Sequence, residues 1–154
     1  MAQIETILLA TDGSPASEPA SEQAIDLATQ VNARLLVVSV LGASSRPSEA
    51  STGATGSAGQ ALADSRDSLT TKAQGIVQRA KAAGADATFL VWEGDAGEAI
   101  VAAADSEKAD LIVVGSHGRS GVSRFFIGSV SDHVVRHAHC PVMVVRGGLE
   151  ATRH

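Results

Sequence analysis

Gly115-Ser116-His117-Gly118-Arg119-Ser120-Gly121, running on to Gly128-Ser129, turns an apolar run into a glycine loop and then into a helix start. Few folds accept that order. Leu111 to Val114 suit a strand buried on both faces, and Gly115 ends the run where a bend or a close ligand approach requires no Cβ. Ser129-Val130-Ser131-Asp132 has the Ser-x-x-acid spacing of a helix start, and Val134-Val135 follow it. Unpaired N–H groups of that first turn, with amides left accessible by the upstream glycines, form a cradle for an anion such as phosphate. The structural alternative is that the glycines only shape a tight connection and Ser129 only caps the helix.

Two familiar phosphate loops are excluded, because no glycine is followed at the required distance by Gly-Lys-Ser/Thr and no Gly-x-Gly-x-x-Gly closes the first strand. What remains is Gly115, two residues, Gly118, nine residues, Gly128 and Ser129.

Apolar runs and helical periodicities alternate along the rest of the chain. Ile4 to Ala10 is the first predicted strand, stopped by Thr11-Asp12-Gly13-Ser14-Pro15. Ala20, Ala24, Leu27, Ala28 and Val31 mark a helix whose Pro19 fits only if the helix starts near Ser17. Arg34 to Leu41 is the second strand. Gly42 to Gln60 holds almost only small and polar residues, too few apolar groups to offset the entropy of ordering, and is predicted as a mobile loop. Leu62, Leu69, Ala73, Ile76, Val77 and Ala80 line a second helix ended by Gly84. Ala87 to Trp92 is the third strand, and a short helix runs through Ala99, Ile100, Ala103 and Ala104. The fourth strand opens at Asp110, a helix spans about 129–138, and Val142 to Val145 is the last strand.

This alternation predicts a doubly wound parallel α/β sheet with helices on both faces. Ligands in such sheets sit beyond the carboxyl ends of the strands where strand order reverses. Asp12 leaves the first strand and the glycine loop leaves the fourth, so a shared site requires those strands to be neighbours, in the order 3-2-1-4-5. The expected organisation is one domain over 1–147, containing the 42–60 loop, and a tail over 148–154.

The glycine spacing closely resembles the nucleotide-binding signature of the universal stress protein family in its ATP-binding branch. Ile7-Leu8-Leu9-Ala10-Thr11-Asp12-Gly13-Ser14, Asp110 to Arg119 and Cys140-Pro141-Val142-Met143-Val144-Val145 extend the likeness over nearly the whole chain. The resemblance implies the same five-stranded order, the adenine nucleotide alpha hydrolase-like fold, and a homodimer through Val142, Met143, Val144 and Val145. It implies ATP, or AMP or ADP, as ligand, with Mg²⁺ or Mn²⁺ on the phosphates. Asp12, beside Ala10 and Thr11, would meet the ribose or the adenine side, and the backbone near Val40 would line the adenine pocket. The phosphates would lie on Gly115, Ser116, His117, Gly118, Arg119, Gly128, Ser129, Val130 and Ser131.

Several of these residues and their neighbours invite other chemistry. Asp12 as a phosphoryl acceptor lacks the adjacent acidic pair and downstream lysine of a receiver domain. His133 and His137 have metal-ligand spacing, but Val134 stands where a zinc protease needs Glu, so solvated or capping histidines are expected. Cys140 beside His139 reads as a packing cysteine, because adjacent strand residues face opposite ways. Arg119 and Arg124 either neutralise outer phosphates or are solvated. No general base or nucleophile–base pair is placed on the crevice, which favours binding over turnover.

A net charge of −5 without a basic run argues against nucleic acid as the main partner. The lone Cys140 suits a reducing compartment, and neither a signal peptide nor a membrane-length apolar run is visible. A cytoplasmic regulator acting in stress response through an unidentified protein partner is expected. A nucleotide hydrolase on a similar fold and a nucleotide-free interaction module remain the rivals.

Overall fold

The computed structural model describes residues 3–42, 55–116 and 128–146. Five parallel strands form one sheet: β1 (Thr6–Ala10), β2 (Arg34–Leu41), β3 (Ala87–Glu93), β4 (Leu111–Gly115) and β5 (Val142–Val145). Their order is β3-β2-β1-β4-β5, as the shared-site argument requires. Between them run α1 (Glu18–Val31), α2 (Thr55–Ala82), α3 (Ala96–Ser106) and α4 (Ser129–His137), and a 3₁₀ turn over Pro15–Ser17 leads into α1.

The near-continuous apolar runs follow from burial on both faces. Ile7, Leu9, Leu35, Val37, Leu111 and Val113 face α1 and α2, where Ala20, Ala24, Ala73 and Ile76 meet them. Leu8, Ala10, Leu36, Val38, Ile112 and Val114 face the other way, against Ile100, Ala103 and Ala104 of α3 and Val134 of α4. Alanines on the helices let them approach the sheet closely, which accounts for a core with so few aromatic rings. β5, by contrast, is only half-buried along its length, as expected of an edge.

Local signals set the helix ends. Pro19 lies in the first turn of α1, where its missing N–H costs nothing, and Asn32 closes the helix in the left-handed conformation at φ 59°. Gly84, at φ +99°, follows α2 in the same way. Asp95 caps α3 by accepting a 3.0 Å bond from the Glu98 N–H.

Two boundaries differ from expectation by more than one residue, while β3 runs on to Glu93 and β4 opens at Leu111 instead of Asp110. β1 begins at Thr6 rather than Ile4, and there the Asp110 carboxylate accepts the N–H groups of Glu5 and Thr6 at 2.9 and 3.0 Å, tying the start of β1 to the start of β4. α2 begins at Thr55, so residues 55–60 of the expected loop are helical. Once the packed turns further along are formed, each residue added at the N-terminal end gains a backbone bond without needing an apolar face of its own. The remainder of the expected loop, residues 43–54, and the 148–154 tail lie outside the described residues.

Candidate functional site

In-register pairing of Ala10 with Val114 brings the carboxyl ends of β1 and β4 side by side. The chain leaves β1 toward α1 on one face of the sheet, while α4 packs on the other, so a crevice opens between Thr11–Asp12 and Gly115–Ser116.

Hydroxyl groups build the β1 side. The Thr11 N–H donates to the Val38 carbonyl at 3.0 Å, and its own carbonyl accepts the Ser39 hydroxyl at 2.9 Å. The Ser17 hydroxyl donates to the Ser14 carbonyl at 2.7 Å, so in the 2.9 Å contact between Thr11 and Ser17 the proton belongs to Thr11. Thr11 Oγ1 also accepts the Gly13 N–H at 3.0 Å, and Gly13 adopts φ +75°, which favours glycine. Asp12 Oδ1 accepts the Ser14 N–H at 2.9 Å, the local turn such a residue makes. Ser14 Oγ, buried beside this turn, has no hydrogen-bond partner among the described residues.

On the β4 side, Ser116 is buried and donates its N–H to the Val145 carbonyl at 2.9 Å, while its carbonyl accepts the Gly128 N–H at 2.7 Å. That bond returns the chain to the crevice and seats the start of α4 there. The helix cap is Gly128 and not Ser129, and no side chain caps it. Ser129 instead occupies the first helical position, because Gly128 has extended angles (φ −59°, ψ 159°) and its carbonyl accepts the Asp132 N–H at 2.9 Å. Ser131 is buried with its hydroxyl donating to that same carbonyl at 3.0 Å, whereas Val130 is 38% exposed. The first-turn amides of residues 129–131 therefore face the crevice end of the helix with its positive dipole end. Gly128's angles suit any residue, so a need for glycine there comes from close approach and not from backbone conformation.

Ala10, Thr11, Asp12, Gly115, Ser116, Gly128, Ser129, Val130 and Ser131 are thus gathered at one end of the sheet. Val40 lies further along, near the end of β2, where it is in register with Trp92 of β3. His117, Gly118, Arg119 and Arg124 lie outside the described residues. The side chains of Ser39 and Ser17 are buried parts of the β1 turn that sequence reasoning missed, and a lone serine inside an apolar strand, as at Ser39, was the available signal.

His133, His137 and His139 serve elsewhere. The His133 and His137 rings stack with centroids 4.2 Å apart, and His137 Nδ1–H donates to the His133 carbonyl at 2.9 Å, an arrangement of helix-end packing. His139 Nδ1 pairs with Asp105 at 3.0 Å. Burial, followed by the charges of Asp105 and Asp110, pushes the Cys140 thiol above its ordinary pKa, the opposite of what a nucleophile needs. Among the described residues no group of three or more His, Cys, Asp or Glu side chains could hold a metal ion, and no helix is long and apolar enough to cross a membrane.

Comparison with known proteins gives consistent matches. Residues 3–146 match the model of the Universal stress protein family. A universal stress protein of Methanocaldococcus jannaschii is 31% identical over 140 residues, covering 91% of this chain and 81% of the relative. A universal stress protein solved in complex with cAMP superposes with a TM-score of 0.70 at 28% identity, covering 94% of this chain and 98% of that one. The universal stress protein UspA from Lactobacillus plantarum superposes with a TM-score of 0.74 at 26% identity, covering 95% of this chain and all of the other (100%).

Proposed function

Since the chain belongs to the universal stress protein family, we propose that it is an ATP-binding member, a cytoplasmic homodimeric regulator of stress response whose conformation or partners are set by the bound nucleotide. The observation that carries this reading is the uncapped start of α4, held by the Gly128–Ser116 bond at the carboxyl end of β4, beside the Asp12 turn. Backbone amides and the helix dipole supply phosphate donors there without a net positive field, as an acidic chain requires. The unpartnered buried hydroxyl of Ser14 offers a further polar contact at the same turn. The relative solved with cAMP supports an adenine nucleotide as the ligand class.

In this reading Asp12 meets the ribose or the adenine side, and the backbone at Val40 lines the base. Mg²⁺ or Mn²⁺ would be held by the phosphate oxygens. Arg119 neutralises the outer phosphates. Hydrolysis is slow and incidental, and a turnover well above about one per second at saturating Mg-ATP would instead favour a hydrolase.

Calorimetric titration with ATP tests the cradle. Gly128→Val tolerates the backbone angles, so the fold persists, yet its side chain obstructs the approach of phosphate to the helix start. Affinity is expected to fall by about tenfold or more, on the order of 1.4 kcal/mol. A variant that binds ATP like the parent places the phosphates elsewhere.

A further inference from the structure

A second hollow, of about 220 Å³, lies between α1 and α2 and reaches Thr11 and Gly13 at the end of β1. It lies on the α1/α2 face, whereas α4, whose start forms the phosphate cradle, packs on the other. Its lining is mixed: Ser17, Glu18 and Ser21 come from the α1 side, and Lys72, Gly75, Ile76 and Arg79 from α2, so two cations face one carboxylate.

Three observations together point to a ligand. Lys72 and Arg79 are seven residues apart, so both project from one face of α2. Arg79 is held by Glu18 of α1, while the Lys72 ammonium has no ion-pair partner among the described residues. The Lys72 stem lies across Gly13, where an added Cβ would come within 2.5 Å of its Cδ, so this lysine is packed against the turn that follows β1. Gly75, between the two cations, is a helix-interior glycine, which costs about 1 kcal/mol relative to alanine. No packing explains it: an added Cβ there would meet nothing within 4 Å. As a lining residue of the hollow, Gly75 leaves that wall free of a side chain.

We propose that this hollow binds a small oxyanion of the phosphate class. The Lys72 ammonium supplies the charge, Arg79 a second cation already oriented by Glu18, and the rim at Gly75 the room for close approach. Occupancy would fix the Lys72 stem over Gly13 and so steady the turn that carries Asp12. The site does not depend on nucleotide binding in the crevice.

Titration of the isotopically labelled full-length chain with inorganic phosphate, at ionic strength held constant with chloride, is the test. The amide signals of Gly13, Gly75 and Ile76 are expected to move saturably with phosphate and not with chloride. Signals of residues 115–131 report the other cradle, and because Gly13 adjoins the Asp12 turn of that crevice, Gly75 and Ile76 on α2 are the readout that separates the two sites. Lys72→Gln and Gly75→Leu should each weaken the response at Gly13 and Ile76 by about tenfold or more. Gly75→Leu fills open space at an exposed helix position with a better helix former, so the protein should melt no lower than the parent. An absent phosphate-specific shift at these amides, or unchanged titration curves in both variants, overturns the proposal.

Discussion

Gly97, in the first turn of α3, has no room for a side chain. A Cβ there would stand 2.7–2.9 Å from His133 Cγ, Cδ2 and Cβ, and the last of these is anchored to the α4 backbone. Gly97→Ala gains about 1 kcal/mol of helix propensity but forces α3 and α4 apart at a cost of roughly 1–3 kcal/mol. Net destabilisation is expected in urea unfolding, and a stabilised variant would refute the tight contact. At Cys140, burial first and then the charges of Asp105 and Asp110 keep the thiol protonated further into the alkaline range. Because the thiolate is the reacting form, alkylation of the native protein at about pH 8 should lag behind that of the urea-unfolded chain and accelerate as pH rises. Equal rates in the two states would contradict this. Cys140 was readable in the sequence as a packing residue, whereas the role of Gly97 was not legible there, because it looks like any small helix residue and the ring it touches lies 36 positions away. The same holds for Lys72 lying over Gly13. Contacts between elements distant in the chain are set by how helices dock, and local pattern does not carry that information.

Whole elements were far more legible, because the strands are largely apolar runs and α1, α2 and α3 repeat alanines on one face. β4 and the start of α4 were placed by the Leu111–Val114 run and the Gly128-Ser129 step, and the common crevice followed from strand order. The exact cap did not follow, since Ser129 satisfies the usual pattern as well as Gly128 does, and only the Gly128–Ser116 bond decides between them. The start of α2 was also missed, because Thr55 to Gln60 lack the apolar repeat by which a helix is recognised. α3 shows the opposite case, where one side chain defines the end. Asp95 satisfies an N-terminal amide of that helix, so Asp95→Ala should cost about 0.5–2 kcal/mol of stability, read from the midpoint of chemical denaturation. An unchanged midpoint would show that water replaces the cap without loss.

For the molecule as a whole, the open question is what covers the β5 edge. The carbonyls of Pro141 and Val145 accept from Ile112 and Ser116 of the β4 side at 3.0 and 2.9 Å. Alternation along a parallel strand therefore turns the N–H groups of Val142 and Val144 off the sheet. A homodimer through this edge would use those groups, and Val144→Pro removes one outward donor without breaking the bonds to β4. Sedimentation should show the variant as a monomer if β5 pairs with its copy, and an unchanged dimer would move the interface elsewhere. At the centre of the sheet lies β1, flanked by β2 and β4. Its Thr6 amide is held by a carboxylate 104 residues further along. On the ribosome, at about 5–20 residues per second, β1 can pair with β2 soon after both emerge but must wait on the order of ten seconds for β4. Through that interval Ile7, Leu8 and Leu9 sit on an open strand edge, so a chain stalled before Asp110 is a sticky half-sheet that has not yet acquired its crevice.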